Sequence, residues 1–313
     1  MPGAAPEGAV RVICHGGAGG VPDEPEPRQA ILDEAADTGA DATGVVDAVV
    51  SAMEDLEESP RFNAGYGGAV QSDGVVRTDA GIMTDEREAG AVASMPGVAN
   101  AAAVARVVME ETPHVFVSGV HAVDLADDFG VEVERELVTD DGRDAYEGAD
   151  PPEPDAGPRN HLAWLEGTFG GGASRSDAEQ SSGDHPRDHD TVGAVAHDPE
   201  TDTFAACTST GGRTFALAGR VGDVPQIGSG FFCAPAGGAS ATGAGEDIAK
   251  ATLTRRAVRH LENGLDAQAA ADRAIDEFGE LTGSSAGVIV LDEAGAGSAY
   301  NSEGMQTSVA TSE

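Results

Sequence analysis

Lysine is nearly absent from this chain: of 18 basic residues only Lys250 is a lysine, and the other 17 are arginines. Against them stand 55 Asp and Glu, for a formal net charge of −37. A chain this short of cations excludes nucleic acid as a partner, because nothing offsets its repulsion from phosphate. Docking on an anionic membrane is excluded for the same reason. Long apolar runs are missing too, none approaching the roughly 18 residues that a membrane helix needs. The first ten residues lack a basic segment followed by an apolar one, so no signal peptide is expected. Cysteine is scarce: Cys14, Cys207 and Cys233 are odd in number, widely spaced and form no CxxC pair. That usage predicts a reducing compartment and a cytoplasmic protein. Cys14 and Cys207 fall in apolar segments, where a small buried hydrophobe is the expected role. With one Trp and three Tyr, the core is expected to rest on Val, Ala, Ile and Leu.

What is abundant is short carboxylates. They stay hydrated where salt is near saturation, and a Debye length of roughly 3 Å or less makes the self-repulsion tolerable there. The composition therefore predicts a salt-adapted protein, haloarchaeal in type, and carries no information about chemistry. The 313 residues exceed a typical single domain of about 100–200 residues, although one large α/β unit accommodates them. Hydrophobic residues, 40% of the chain, suffice for a sizeable core.

An apolar strand at 10–14 runs into the glycine-rich segment HGGAGG (15–20). Helical spacing follows at 27–38 and at 43–57, the second with Val46, Val49, Val50, Met53 and Leu56 on one face. Strands are expected at 68–71, 75–83 and 89–95, a helix at 99–110 closed by Thr112-Pro113, a short strand at 114–117 and a helix at 121–129. From about 139 to 190 the character changes: Pro151, Pro152, Pro154, Pro158, a Gly170–Gly172 run and many Ser, Asp and His read as a flexible acidic tether, with one helical turn at 161–165. Paired strands are expected at 191–197 and 203–208, helices at 241–263 and 265–281, and closing strands at 285–291 and 297–301. Strands and helices in blocks predict stacked sheets covered by helices.

The tether ends at His189-Asp190-Thr191-Val192-Gly193. Cleavage before Thr191 would free an α-amine with a pKa near 8, able to take the proton of the residue's own Oγ. Thr191 alone equally suits a strand opening, where threonine is common. Thr208-Ser209-Thr210-Gly211-Gly212 follows the next strand, with hydroxyls able to reach back. In GRVGD (219–223), Arg220 and Asp223 suit the carboxylate and ammonium of an amino-acid head, or else an ordinary surface ion pair. Thr242-Gly243 precedes a helix and offers donors for an oxyanion. HGGAG resembles a phosphate loop, but no Gly-Lys-Ser/Thr follows. Asp184, His185, Asp188, His189 and Asp190 mimic a metal cluster; in an acid-rich tether they read as a solvated tail.

Together, HGGAG (15–19), RFNAGYG (61–67), TDAGIM (78–83), TPHVFVSG (112–119), HDTVGAVA (189–196), TSTGG (208–212), GRVGD and ATGAGE (241–246) stand in one order. In that order they resemble the plant-type asparaginase and isoaspartyl peptidase family of N-terminal-nucleophile hydrolases, across nearly the whole chain. The resemblance implies an α+β fold, the four-layer αββα sandwich of that hydrolase type. It implies autocleavage between Asp190 and Thr191 into chains 1–190 and 191–313, with Thr191 as nucleophile and Thr210 supporting it. Arg220 and Asp223 would bind the aspartyl head, Thr242 and Gly243 would form the oxyanion hole, and Asn63 would join the network behind the nucleophile. Carbonyls of the loop from Leu56 to Phe62 match a segment that holds a structural sodium ion in some relatives. No organic cofactor is implied, and relatives are typically homodimers of processed units. The substrate is then a small molecule, asparagine or a β-aspartyl dipeptide. Two departures stand out: Gly81 where many relatives carry Ser or Cys, which points to packing, and Asp190 where several carry Gly. The His-Asp-Thr triplet is shared with glycosylasparaginases, which keeps N-acetylglucosaminyl-asparagine as an alternative substrate. A threonine endopeptidase of the same family lacks an extra domain for gripping a polypeptide here. An uncleaved amino-acid-binding protein is the reading that needs no enzyme.

Overall fold

A computed structural model describes residues 9–169 and 191–312. The cleavage-side residues Asp184, His185, Asp188, His189 and Asp190 lie outside that range. The described residues form a mixed α+β structure with two sheets. The larger sheet has the order β11-β1-β5-β6-β2-β3-β4, from β1 (Arg11–Gly19), β2 (Arg77–Thr84), β3 (Ala89–Pro96), β4 (Phe116–Ser118), β5 (Val192–Asp198), β6 (Thr203–Thr210) and β11 (Gly304–Thr311). The smaller has the order β10-β9-β8-β7, from β7 (Phe231–Ala234), β8 (Gly237–Gly243), β9 (Ala286–Leu291) and β10 (Ala296–Tyr300). All neighbouring strands run antiparallel except β3 and β4.

Helices α1 (Pro25–Ala40), α2 (Val45–Glu57), α3 (Ala101–Glu111) and α4 (Val120–Asp128) bury Leu32, Met53, Val104 and Ala126 in one cluster with Val12, Ile82 and Val192 of the larger sheet. Helices α7 (Gly245–Ala251), α8 (Leu253–Glu262) and α9 (Ala267–Thr282) bury Ile248, Leu253 and Phe278 against Val288 and Val290 of the smaller. A third cluster joins strands of both sheets through Ile13, Val195, Phe204, Phe231 and Ile289. The core is thus built on small and branched side chains, as the composition requires. All three cysteines are free and buried, and burial, then the nearby Asp55, pushes the Cys14 thiol up to about 12, so it is an inert core residue.

The tether expected over 139–190 needs correction over 139–169; its remainder, 170–190, lies outside the described residues. Residues Asp140–Gly148 form α5 and Pro158–Phe169 form α6. Thr139 caps α5, its Oγ1 accepting from Gly142 N at 3.2 Å, and Pro158 opens α6 where its missing N–H costs nothing. Tyr146 Oη donates to Ser72 O (3.1 Å), and Trp164 Nε1 donates to Ala149 O (3.2 Å). Helix α5 buries no residue fully, so it carries no apolar stripe to read; one aromatic anchor holds it instead. Other differences are local. Residues 68–71 contribute only an isolated bridge, Val70 to Val76. The helix expected from 241 begins later, because 241–243 belong to β8, and it breaks at Thr252, whose φ is +52°. No helix among the described residues is long and apolar enough to cross a membrane.

Gly81 on β2 sits against β7, where an added Cβ would overlap the Phe231 ring. The departure at this position is therefore matched by a large neighbour. Gly81→Val is expected to destabilise the protein by about 1–3 kcal/mol, read as a lower urea midpoint in high salt. Adding Phe231→Ala should recover part of that loss; an unchanged Gly81→Val midpoint refutes the packing account.

Candidate active site

Thr191 stands immediately before β5, whose pairing with β1 and β6 continues through Val192 opposite Ser209. It is only 9% exposed, and its Oγ1 donates to Thr210 Oγ1 at 3.3 Å. Thr210 accepts from Gly212 N (3.2 Å) and gives its own proton to Asn63 O (3.4 Å). The Asn63 side chain bridges two glycine-rich turns: Nδ2 donates to Gly212 O (2.7 Å), and Oδ1 accepts from Ala69 N (2.8 Å). A Cβ on Gly211 would strike Gly68, so these turns approach as only glycines allow. Thr191, Thr210, Arg220, Asp223 and Gly243 line one narrow cavity of about 20 Å³.

Arg220 and Asp223 are not a surface pair. Arg220 forks onto Glu246, with Nε to Oε1 at 2.8 Å and Nη2 to Oε2 at 2.7 Å. Burial opposes ionisation of Glu246, yet the hydrogen bonds and charge of Arg220 hold it down to about 2. Asp223 is 5% exposed, and its Oδ2 has no hydrogen-bond partner among the described residues. Burial pushes its carboxyl up to about 7 against the pull of Arg220. Asp79, opposite Thr210 in the β2–β6 register, is likewise raised to about 7 by burial, although it accepts from Ser94 N at 2.7 Å. One buried guanidinium thus faces three carboxyl groups, and one of them is aimed at nothing.

Thr242 and Gly243 end β8. Thr242 Oγ1 accepts from Ala18 N of the HGGAG segment at 3.3 Å. Gly243 has φ +134°, and a Cβ there would meet Ala286 Cα at 2.6 Å, so no other residue fits. Beside them His15 Nε2 lies 2.8 Å from Ser240 Oγ, which lies 2.6 Å from Thr208 Oγ1. Thr208 donates to Gly230 O at 2.9 Å. Its proton is spent there, so Ser240 donates to Thr208 and accepts from His15, which fixes the His15 proton on Nε2. Burial holds this imidazole down to about 3; the Thr191 backbone opposes that and the Arg28 charge adds to it, so the ring is neutral. Arg28 Nη2 donates to Gly16 O, and its guanidinium lies 4.7 Å from the Phe62 ring centroid.

Sequence reasoning missed His15, Ser240, Asp79, Glu246 and Glu57. Glu57 offered a signal, since it continues the buried stripe of Val50 and Met53 at helical spacing. Fully buried, it accepts on Oε1 from Ala102 N (3.0 Å) and Ser209 Oγ (2.5 Å), and burial raises it to about 8. In the neighbouring loop, the carbonyls of Leu56, Glu57 and Ser59 accept from Ser59 N (3.4 Å), Tyr66 N (2.8 Å) and Phe62 N (3.3 Å). Leu56 O also accepts from Glu58 N, whereas the Glu57 and Ser59 carbonyls each keep a second lone pair, and such hard oxygens suit a sodium ion better than a soft metal. No group of three or more His, Cys, Asp or Glu among the described residues is arranged to hold a metal ion.

The sequence model of the asparaginase family matches residues 8–313. A plant-type L-asparaginase of Pyrococcus furiosus is 37% identical over 294 residues, covering 91% of each chain. An isoaspartyl peptidase/L-asparaginase of Danio rerio is 36% identical, covering 91% of this chain and 86% of its own. A plant-type L-asparaginase of Pyrobaculum calidifontis is 38% identical, covering 91% of each.

Because the folded carboxyl of Asp223 is raised from 3.8 to about 7, its contribution to stability is full below about pH 4 and lost as the pH rises through 7. Asp223→Asn should abolish that loss, so between pH 5 and 8 the variant declines less than the wild type by on the order of 1–4 kcal/mol. Parallel urea titrations at the two pH values measure it, and equal declines would overturn the assignment.

Proposed function

The chain belongs to the asparaginase family, and from that premise we propose that it hydrolyses the side-chain amide of L-asparagine and the isopeptide bond of β-aspartyl dipeptides. The observation that carries this reading is the convergence of Thr191, Thr210, Arg220 and Asp223 on one buried cavity. Arg220 binds the substrate α-carboxylate, and the unpartnered Asp223 Oδ2 takes the α-ammonium. That places the side-chain carbonyl at Thr191. Thr191 Oγ attacks it while the free Thr191 amine accepts the hydroxyl proton, and Thr242 and Gly243 donate to the tetrahedral oxyanion. The amine passes the proton to the departing nitrogen, which leaves as ammonia or an amino acid. Water then attacks the ester, giving one proton to the amine and releasing aspartate as Oγ recovers it. The relatives bear asparaginase and isoaspartyl peptidase names, so glycosylasparagine and a non-catalytic role are not favoured.

The same reading requires a free Thr191 amine. Thr191 Oγ attacks the Asp190 carbonyl, the peptide becomes an ester, and water releases chains 1–190 and 191–313. The two sheets and their covering helices suit the αββα sandwich of N-terminal-nucleophile hydrolases. We further assign a sodium ion to the loop from Leu56 to Phe62, a homodimer of processed units, no organic cofactor, and a cytoplasm rich in salt.

Mass measurement of the denatured protein, purified in molar KCl, is expected to give two fragments meeting at Asp190/Thr191. Thr191→Ala is expected to stay whole and inactive. An intact wild-type chain without amidase activity overturns the proposal. Activity should also collapse in dilute buffer and return with salt; full activity in dilute buffer refutes the salt-adaptation reading alone.

A further inference from the structure

Three of the chain's 17 arginines, Arg255, Arg256 and Arg259, stand with His260 on the short helix α8. Their placement works against that helix. Arg255 and Arg256 lie in its first turn, where the macrodipole favours carboxylates, and the turn holds none. Arg255 and Arg259 are four residues apart on one face, and like charges at that spacing destabilise a helix. The dipole at the other end accounts for Arg259 and His260, but not for the pair at the start. In a chain of net charge −37, the helix itself gives no reason for scarce cations to gather here.

With Glu277 of α9 they line a cavity of about 240 Å³, which shares no lining residue with the cavity at Thr191. The Arg255 guanidinium lies 4.9 Å from the Phe232 ring centroid, and its Nη2 donates to Glu262 Oε2 at 3.1 Å. Its Nη1 is buried and has no hydrogen-bond partner among the described residues. Arg256 Nε donates to Ala251 O (2.7 Å), and its Nη1 stands 3.6 Å from Glu277 Oε2. Arg259 Nη1 reaches Glu262 Oε2 only at 3.9 Å, with its side chain 64% exposed. Glu277 is also shared by His260 Nε2 (3.3 Å) and Arg273 Nε (3.0 Å). In this cluster four guanidinium groups divide two carboxylates between them, which leaves two positive charges and one unused buried donor.

We propose that this cavity binds a phosphate group, free or as the monoester of a small metabolite, at a site separate from the reaction at Thr191. The two positive charges left over match the charge of about −1.5 to −2 that a phosphate monoester carries at pH 7. Arg255 offers the unused Nη1, and Arg259 gives up a distant, exposed partner that contributes little. Arg256, held by Ala251 O, adds its charge from one fixed position. Concentrated salt cuts long-range attraction to roughly 3 Å, so recognition rests on contact, and there the arginine fork selects an oxyanion over a halide. A volume of about 240 Å³ lies below the roughly 300–1,000 Å³ of drug-sized sites and suits an anion of few atoms. The bound dianion also offsets the repulsion within α8, so occupancy stabilises the fold.

Equilibrium dialysis of the purified protein in molar KCl, against labelled inorganic phosphate and labelled glycerol phosphate, tests the site at fixed ionic strength. Saturable binding is expected, with a thermal midpoint that rises as the ligand is added. Arg255→Gln and Arg259→Gln should each raise Kd by about tenfold or more. Arg259 is exposed enough that its substitution leaves the fold in place. Arg106→Gln, a surface change outside the cavity, should leave Kd as it is. Tighter binding of glycerol phosphate assigns the site to a metabolite, and tighter binding of inorganic phosphate assigns it to the free ion. Linear, unsaturable uptake marks a counter-ion atmosphere only and overturns the site, as does a Kd unchanged in Arg259→Gln. Neither result touches the proposed function, and a protein without amidase activity that binds phosphate saturably leaves the site standing.

Discussion

The backbone of Gly211 lies against that of Gly68, and Asn63 spans the seam between their turns. This close approach fixes the position of Thr210 Oγ1, which accepts from Gly212 N and donates to Asn63 O. Only one of its contacts is left to receive a proton, and Thr191 Oγ1 supplies it. Thr191 Oγ1, the nucleophile of the proposed reaction, is therefore oriented by main-chain geometry more than by side-chain choice. Side chains larger than glycine at 68 or 211 would part the turns, and the Thr191–Thr210 bond would lengthen with them. Gly193 serves the same end on β5: a Cβ there would strike Ser240 Oγ and the His15 ring. The polar chain from His15 to Gly230 thus runs across the gap between the sheets because β5 presents no side chain at that point.

Around this rigid centre the charges are unbalanced by design of the site. Arg220 forks onto Glu246, and its charge does not offset the burial of Asp223 and Asp79, so both rise to about 7. A buried carboxylate without a cation is costly, and in the proposed function an incoming α-ammonium would remove that cost. On that reading, substrate binding and ionisation of Asp223 would be linked, each favouring the other by the same free energy. Glu246 has the complementary task. It keeps the guanidinium of Arg220 in one plane, so that in the proposed reaction a substrate carboxylate would meet a donor already in place.

How much of this was legible depended on the range of each determinant. Thr191, Thr210, Asn63 and Gly243 stand in segments whose glycines and hydroxyls dictate their own turns, so short motifs carried them. The cysteines were legible as core residues from their apolar neighbours. The Arg220–Glu246 fork was not, because the partners lie 26 residues apart on a turn and a helix and nothing local pairs them. Strands β7 and β8 escaped notice because they are mostly Gly and Ala, with Ser240, Thr242, Cys233 and two Phe, and little alternation to detect. Strand β11 has no fully buried residue, being an edge strand on β1. Helices α5 and α6 failed for the opposite reason: proline and acid suggested a tether, while the order comes from Tyr146 and Trp164 meeting Phe215 from a distant turn.

The scarcity of cations gives these contacts a common logic. In concentrated salt the Debye length shrinks to roughly 3 Å, so exposed ion pairs lose most of their attraction while buried ones keep it. A lysine, with one strongly hydrated charge, gains little from burial; an arginine can fork, stack and stay charged. Arg28 does so on Phe62 and Gly16, and Arg220 on Glu246. Arg61 and Glu24, by contrast, form an exposed pair, with Nη1 2.8 Å from Oε2, that salt weakens. One chain thus holds two classes of arginine, buried ones fixed on their partners and exposed ones whose partners can be exchanged. An acid-rich surface makes that division sharper, since exposed arginines such as Arg143, Arg259 and Arg273 pair with carboxylates, and burial decides which pairing lasts.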